Sequence, residues 1–105
     1  MGNRALPCKN DQGVIIAYLV DCPACGHGHA FDTDANPQRK GNGWKFNGDL
    51  ERPTFSPSML SRRSSTGDAR NMDQVCHSFV RDGKIEYLND CTHSMAGQTV
   101  ELPEV

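Results

Sequence analysis

The chain lacks long apolar runs and any strong net charge, and each shortage excludes a class of protein. No segment of the 105 residues reaches the roughly 20 apolar residues that cross a bilayer, so no membrane-spanning helix is expected. A formal net charge of −2 gives no overall attraction to nucleic acid or anionic lipid. The first residues lack the apolar core of a secretion signal, and we therefore expect a protein of the cytosol.

Aromatic residues are also few, so the core is predicted to be thin. The chain has one Trp, four Phe and two Tyr, whereas ten Gly and six Pro indicate many turns. The length fits a single domain over residues 1–105, in which residues 1–12 form an N-terminal segment. A core of this size often needs a staple, and a bound metal ion is a common one.

The residues that are present favour strands over helices. Residues 13–20 are rich in β-branched residues and predict a buried strand, and Trp44 and Phe46 alternate with polar residues as in a short half-buried strand. Two prolines place the extended segment 54–60 at a sheet edge, and residues 98–102 suit one more short strand. The segment 61–72, rich in Arg and Ser, is predicted to be a mobile loop.

A C-terminal hairpin is the clearest element. The dipeptide Asp82-Gly83, which favours a tight turn, separates two β-prone runs within residues 75–88. A two-residue turn at this dipeptide pairs Arg81 with Lys84, Phe79 with Glu86, and Cys76 with Asn89. We therefore expect a mostly β protein with an antiparallel sheet.

The cysteines point to a metal rather than to disulfides. There are five, an odd number, in a chain expected in a reducing compartment. Cys22-Pro-Ala-Cys25-Gly26 has the spacing of a knuckle in which two thiolates face one tetrahedral ion, and the glycine permits the positive φ of the turn. A thioredoxin-like redox pair is less suitable, because Gly-His-Gly-His follows instead of a helix.

The other half of the site is predicted at the open end of the hairpin. With Cys76 opposite Asn89, strand alternation puts the thiol of Cys91 on the same face as that of Cys76. The sequence thus predicts a small zinc-stapled antiparallel sheet with a knuckle and a C-terminal hairpin, and zinc ligands Cys22, Cys25, Cys76 and Cys91. The alternative is that these are ordinary buried cysteines, which pack as small hydrophobic residues. Cys8 lies outside the pattern.

Histidines offer variants of this site. His29 could reach the ion from just beyond the knuckle, and His93 shares the face of Cys91. By strand parity, His77 points away from Cys76. Each could replace a cysteine ligand, or hold a thiolate or carboxylate by a hydrogen bond instead.

Three motifs together resemble a known domain family. They are Cys22-Pro-x-Cys-Gly-x-Gly-His29, then Trp44-x-Phe-Asn-Gly-Asp-Leu50 with Pro53-Thr-Phe-Ser-Pro-Ser58, and Cys76-His-Ser-Phe-Val-x-Asp-Gly-x-Ile85. The family was formerly of unassigned function, is carried by many bacteriophages, and is often mislabelled as ammonia monooxygenase. The resemblance covers residues 22–103, nearly the whole chain, and implies a protein working in the cytosol of a bacterial host.

Relatives of that family lie beside bacterial genes for ubiquitin-like proteins and their conjugating enzymes. The resemblance therefore implies a peptidase that trims or removes a ubiquitin-like modifier, with such a protein as partner. Those relatives share a Thr-(Phe or Leu)-Ser-Pro-Ser segment, which is residues 54–58 here, and a Cys followed closely by Ser and His. In this chain the histidine follows Cys76 directly as His77.

Two hypotheses of function follow. In the first, the protein is a zinc-dependent hydrolase, with an open zinc site that includes His77 or His93, or with Ser58 or Ser56 as nucleophile and His77 as base. The candidate catalytic residues are thus His77 and Ser58. In the second, a closed all-cysteine zinc site supports a noncatalytic zinc-ribbon-like adaptor that contacts a host protein through Arg62, Arg63 and the loop. Nucleic-acid binding ranks last because the total charge is negative.

Overall fold

A computed structural model describes residues 2–39 and 41–105, and these residues form eight strands and no helix. The strands are β1 (Leu6–Lys9), β2 (Ile15–Cys22), β3 (His27–Asp32), β4 (Lys45–Phe46), β5 (Phe55–Arg63), β6 (Gln74–Arg81), β7 (Lys84–Tyr87) and β8 (Thr99–Glu101). The mostly β fold is thereby confirmed. Within the described residues, nothing forms a helix long and apolar enough to cross a membrane.

The strands form two antiparallel sheets where the sequence predicts one. The small sheet has the order β1-β2-β3, and the large sheet has the order β4-β5-β6-β7-β8. The segment after Cys25 turns back as β3 and pairs Cys22 with His27. The residues of β3 include Gly28 and two histidines, which carry almost no β-strand signal, and so this second sheet escapes a sequence-based prediction.

The few aromatic residues are concentrated where the two sheets meet. Phe31 of the small sheet stacks on Phe55 of the large sheet, with ring centroids 4.4 Å apart, and Phe46 stacks on the same ring at 5.0 Å. Tyr18 adds a further contact to Phe46 at 4.2 Å. Both Phe31 and Phe55 are 1% exposed, so each contributes roughly 1.5–3 kcal/mol through burial of its ring. The contact between the two sheets is therefore made by one cluster of aromatic rings.

The C-terminal hairpin forms in the predicted register for two of three pairs. Arg81 lies opposite Lys84, and Phe79 lies opposite Glu86. Asp82 and Gly83 have φ values of 52° and 77°, as the tight turn requires. The predicted pairing of Cys76 with Asn89 is wrong, because β7 ends at Tyr87 and the chain turns away there.

The proline-containing segment agrees with its predicted edge position only in part. Phe55 and Ser56 lie between β4 and β6, whereas from Pro57 onward β5 has no described strand partner on the β4 side. Pro57 is accommodated by a bulge between Phe55 and Met59, where the ladder to β6 is interrupted. The strand then continues to Arg63, three residues into the predicted loop 61–72. The mobility of that loop stays a prediction, as does the single-domain assignment.

Candidate functional site

The bulge in β5 determines where Ser58 points. Phe55 pairs with Val80 and Met59 pairs with Ser78, so extra residues of β5 are bulged out between these pairs. Met59 is buried in the core, and its neighbour Ser58 is half-buried on the opposite, outer face of the large sheet. The indole Nε1 of Trp44 donates a hydrogen bond to the Ser58 carbonyl at 3.4 Å. The backbone of Ser58 is thus fixed by a hydrogen bond from the residue that directly precedes β4.

His77 lies on the same outer face and meets that hydroxyl. It pairs with Leu60, whereas the residues on either side of it, Cys76 and Ser78, are buried on the inner face. The Ser58 Oγ lies 3.1 Å from the Nε2 of His77. The two catalytic candidates of the sequence are therefore in hydrogen-bond contact, although 19 positions separate them along the chain.

A third residue, Asp90, completes the arrangement and is absent from the sequence-based candidates. Its Oδ2 lies 2.9 Å from His77 Nδ1, and its Oδ1 lies 3.2 Å from the same atom. The side chain of Asp90 is 57% exposed and that of His77 is 25% exposed, so both are accessible to a macromolecular substrate. The sequence offers one signal for Asp90, its position directly before the predicted ligand Cys91, and no spacing rule connects it to His77.

The segment after β7 is fastened to β6, and this places Asp90. Leu88 N–H donates to the His77 carbonyl at 2.9 Å, and Thr92 N–H donates to the Val75 carbonyl at 3.0 Å. Val75 N–H in turn donates to the Thr92 hydroxyl at 2.8 Å. Since bonds of this kind lie on both sides of Asp90, its carboxylate stays beside the imidazole despite its exposure.

Cys91 fastens the same segment through its sulfur. The His77 N–H donates to Cys91 Sγ at 3.2 Å, and the Cys91 thiol donates to the His77 carbonyl at 3.1 Å. Cys91 is 8% exposed, so these bonds are shielded from water. The Cys91 thiol therefore fixes the backbone of His77, whose side chain contacts Ser58.

A second group of chemically active side chains lies between the sheets. One potential ligand atom from each of four residues falls within 4.8 Å of all the others, and the four are Cys22, Cys25, His29 and Cys76. Cys22 ends β2, Cys25 lies in the knuckle, His29 belongs to β3, and Cys76 belongs to β6. The knuckle has the predicted turn, with Gly26 at φ 73° and its N–H donating to the Cys22 carbonyl at 3.0 Å. These residues could hold a metal ion.

The thiols of this group influence one another's protonation. The pKa of Cys22 is lowered to about 2, chiefly because the Cys76 thiol lies 4.0 Å away and hydrogen-bonds to its thiolate. That contact raises the pKa of Cys76, and burial raises the pKa of Cys25 to about 11. Burial also raises the pKa of Tyr87, so its hydroxyl stays protonated and donates to Cys22 Sγ at 3.1 Å. The surroundings thus favour a thiolate at Cys22.

The predicted metal ligands are only partly brought together. Cys22, Cys25 and Cys76 belong to the group just described, whereas Cys91 falls in a second group with Cys76 and His93. The four-cysteine ligand set stays a prediction. Among the residues that the structure describes, the buried Nε2 atoms of both His29 and His93 have no hydrogen-bond partner. The cysteines Cys8, Cys22, Cys25, Cys76 and Cys91 are free thiols in the structure.

A cleft of about 350 Å³ opens beside this group, between the knuckle, the C-terminal end of β5 and the N-terminal end of β6. Cys25 and Cys76 line it together with the side chains of His27, Arg63 and His93. Neither Ser58 nor His77 contributes to its wall. The cleft therefore exposes Cys25 and Cys76, and it is separate from Ser58 and His77.

A serine, a histidine and an aspartate in a chain of hydrogen bonds form the constellation that recurs at serine hydrolase active sites on unrelated folds. Family comparison agrees: the chain matches the BubE family, the bacterial ubiquitination-like system serine protease, over residues 3–88, and it belongs to that family. The matched region includes Ser58 and His77 and ends two residues before Asp90. No curated protein and no solved structure matches the chain. The link to bacterial ubiquitin-like systems is confirmed, and the phage connection stays a prediction.

Proposed function

We propose that this chain is a serine peptidase that cleaves at the extended C-terminal tail of a ubiquitin-like protein. Ser58 is the nucleophile, His77 is the general base, and Asp90 orients the imidazole. The observation that carries the proposal is the 3.1 Å contact from Ser58 Oγ to His77 Nε2, with Asp90 at 2.9 Å from the other ring nitrogen. Membership in a family of serine proteases of ubiquitination-like systems supports both the reaction and the class of substrate.

In the proposed reaction, each proton moves along the Ser58, His77 and Asp90 contacts. His77 donates its Nδ1–H to Asp90, so Nε2 is free to accept the Ser58 proton. Oγ then forms a bond to the scissile carbonyl carbon while its proton moves to Nε2. The protonated imidazole passes that proton to the leaving amine as the peptide bond breaks, which leaves an acyl-enzyme. Water, deprotonated by the same nitrogen, then bonds to the acyl carbon, and the bond from that carbon to Oγ breaks as Nε2 returns the proton to Oγ. The acid is released and Ser58 is restored.

The large sheet also offers a place for an extended peptide. Within the described residues, β4 pairs with only Phe55 and Ser56, so β5 has no strand partner on that side from Pro57 to Arg63. A tail that adds as a strand along this edge would pass beside Ser58. Leu60, two residues further on the same face, is 46% exposed and supplies an apolar contact for such a tail. This edge fits a flexible, extended substrate better than a folded one.

Zinc is the metal we propose for the cysteine-containing group, and its role is structural. Sulfur-rich tetrahedral sites favour zinc. Cys76 points to the inner face of β6 and His77 to the outer face, so an ion among the cysteines lies on the other side of the sheet from Ser58. A serine nucleophile with its own base also has no need of a metal-bound water. Of the two sequence-based versions of a hydrolase, we therefore favour the one with a serine nucleophile.

Cleavage of a fusion substrate tests the peptidase. The full chain is incubated with a ubiquitin-like protein that carries a C-terminal extension, and the masses of the products are measured by mass spectrometry. We expect one cut at the end of the tail with the unaltered chain, none with Ser58→Ala, and normal cutting with Ser56→Ala. Ser56 is the matched control because it is an exposed hydroxyl in the same strand. If the unaltered chain binds the substrate and never cuts it, the adaptor hypothesis is correct instead.

A further inference from the structure

His29 carries an unsatisfied nitrogen at a place where one is costly. The residue is 5% exposed, and its Nε2 has no hydrogen-bond partner among the residues that the structure describes. Buried polar atoms of folded proteins are nearly always paired, and an unpaired one needs an explanation such as an ion. Because a ring nitrogen of His29 lies within 4.8 Å of the sulfurs of Cys22, Cys25 and Cys76, a metal ion is the partner that the surroundings suggest.

Cys91 is less suited to be the fourth ligand. Its sulfur accepts a hydrogen bond from the His77 N–H and donates one to the His77 carbonyl. To bind a metal as a thiolate it would have to lose the second of these bonds. It also falls outside the group that contains Cys22 and Cys25. His29 can bind without giving up any contact of its Nε2 atom within the described chain.

We propose that Cys22, Cys25, Cys76 and His29 hold one tetrahedral zinc ion, with three sulfur ligands and one nitrogen ligand. The separation of the Cys22 and Cys76 sulfurs, 4.0 Å, is close to the spacing of about 3.8 Å that Zn–S bonds of about 2.3 Å give in a tetrahedron. Tyr87, 3.1 Å from Cys22 Sγ, supplies the outer hydrogen bond that thiolate ligands commonly receive. The cleft lined by Cys25 and Cys76 gives the ion its way in.

The ion would join the two sheets. Cys22, Cys25 and His29 come from the small sheet and its knuckle, whereas Cys76 comes from the large sheet. Strand alternation puts His29 on the same face of β3 as Phe31, whose ring stacks on Phe55 of the large sheet. The metal therefore continues the contact between the sheets beyond the aromatic cluster. This role does not depend on the peptidase activity, because Ser58 takes no part in it.

Cobalt binding distinguishes the ligand sets. The full chain, freed of metal with a chelator under reducing conditions, is titrated with Co²⁺ alone, and the visible d–d bands report the tetrahedral ligands. We expect one cobalt per chain with a three-sulfur, one-nitrogen spectrum. Cys91→Ser should leave stoichiometry and bands unchanged, and His29→Ala should weaken binding at least tenfold. His27→Ala is the matched control, since its ring centroid lies 5.3 Å from that of His29 and it stands outside the group.

A second variant keeps the test decisive if His29→Ala does not fold. His29→Cys should retain one cobalt and shift its bands to those of a four-sulfur site. Ser58→Ala should bind cobalt like the unaltered chain, so a failed peptidase assay leaves this result untouched. The proposal is overturned if Cys91→Ser rather than His29→Cys alters the bands. It is equally overturned if the chain folds without binding a metal, or if Cys22 and Cys76 form a disulfide in the purified protein.

Discussion

The two faces of β6 carry different chemistry on consecutive residues. On the inner face, Cys76 belongs to a mostly buried group of three thiols and an imidazole, which we propose to hold a zinc ion between the sheets. On the outer face, His77 contacts Ser58 and Asp90 near solvent. Because a strand sends neighbouring side chains in opposite directions, the proposed structural role of Cys76 and the proposed catalytic role of His77 are separated by the sheet. Changes on the outer face should therefore affect rate, and changes on the inner face should affect stability.

The largest effect is expected on the outer face. His77→Ala removes the base, so cleavage of a ubiquitin-like fusion should fall by about 10⁴-fold or more. The fold should persist, because only the exposed-side contacts of the imidazole are lost. The measurement is single-turnover cleavage together with thermal unfolding. A variant that is inactive because it is unfolded would contradict the separation of the two faces.

Cys76→Ser tests the inner face. Loss of a zinc ligand should lower the free energy of unfolding by about 3 kcal/mol or more and abolish stoichiometric metal binding. Denaturant unfolding, with zinc content measured on the same samples, checks this result. Cys8→Ser is the matched control, because Cys8 lies in β1 outside both metal-ligating groups. Equal stability of the two variants would argue that Cys76 is an ordinary core residue.

Asp90→Asn should have a smaller effect on rate. The amide keeps the shape but holds the imidazole less well, and we expect kcat to fall roughly 10²- to 10⁴-fold with little change in KM. Because the Asp90 side chain is 57% exposed, stability should stay within about 0.5 kcal/mol. Steady-state kinetics and thermal unfolding measure both. An unchanged kcat would remove Asp90 from the catalytic arrangement.

Tyr87→Phe is expected to give the smallest change. The ring stays in the core while the hydroxyl between Cys22 Sγ and the Ala24 N–H is lost. Stability should fall by about 1 kcal/mol, with a modest loss of zinc affinity and normal cleavage. Competition with a chromogenic chelator measures the affinity. A strong loss of cleavage would show that the two faces are coupled more tightly than proposed.

The extent of successful prediction differs between the two sites for physical reasons. The knuckle at Cys22 and Cys25 and the hairpin turn at Asp82 depend on local backbone chemistry, which sequence spacing reports directly. The alternation of side chains along β6 correctly predicts that Cys76 and His77 lie on opposite faces of the sheet. Asp90 could not be found in this way, because hydrogen bonds from Leu88 and Thr92 to β6 decide its position, and these are tertiary contacts.

The same reasoning explains the errors in the fold. Pro57 correctly predicts the missing strand partner on the β4 side, whereas the bulge that interrupts the pairing with β6 depends on that partner strand rather than on the local sequence. The pairing of Cys76 with Asn89 assumed that the hairpin continues, whereas β7 ends after four residues. The strand β3 pairs with β2 despite its weak β-strand propensity, because the knuckle turns the chain back at Gly26.

Covalent capture at the nucleophile tests the central claim most directly. The full chain is treated with a ubiquitin-like protein whose C-terminal tail ends in a serine-reactive electrophile, and the adduct is mapped by peptide mass spectrometry. The account predicts one adduct, on Ser58, which disappears in Ser58→Ala and persists in Ser56→Ala. An adduct on any other residue, or none with a tail that the unaltered chain cleaves, would contradict it.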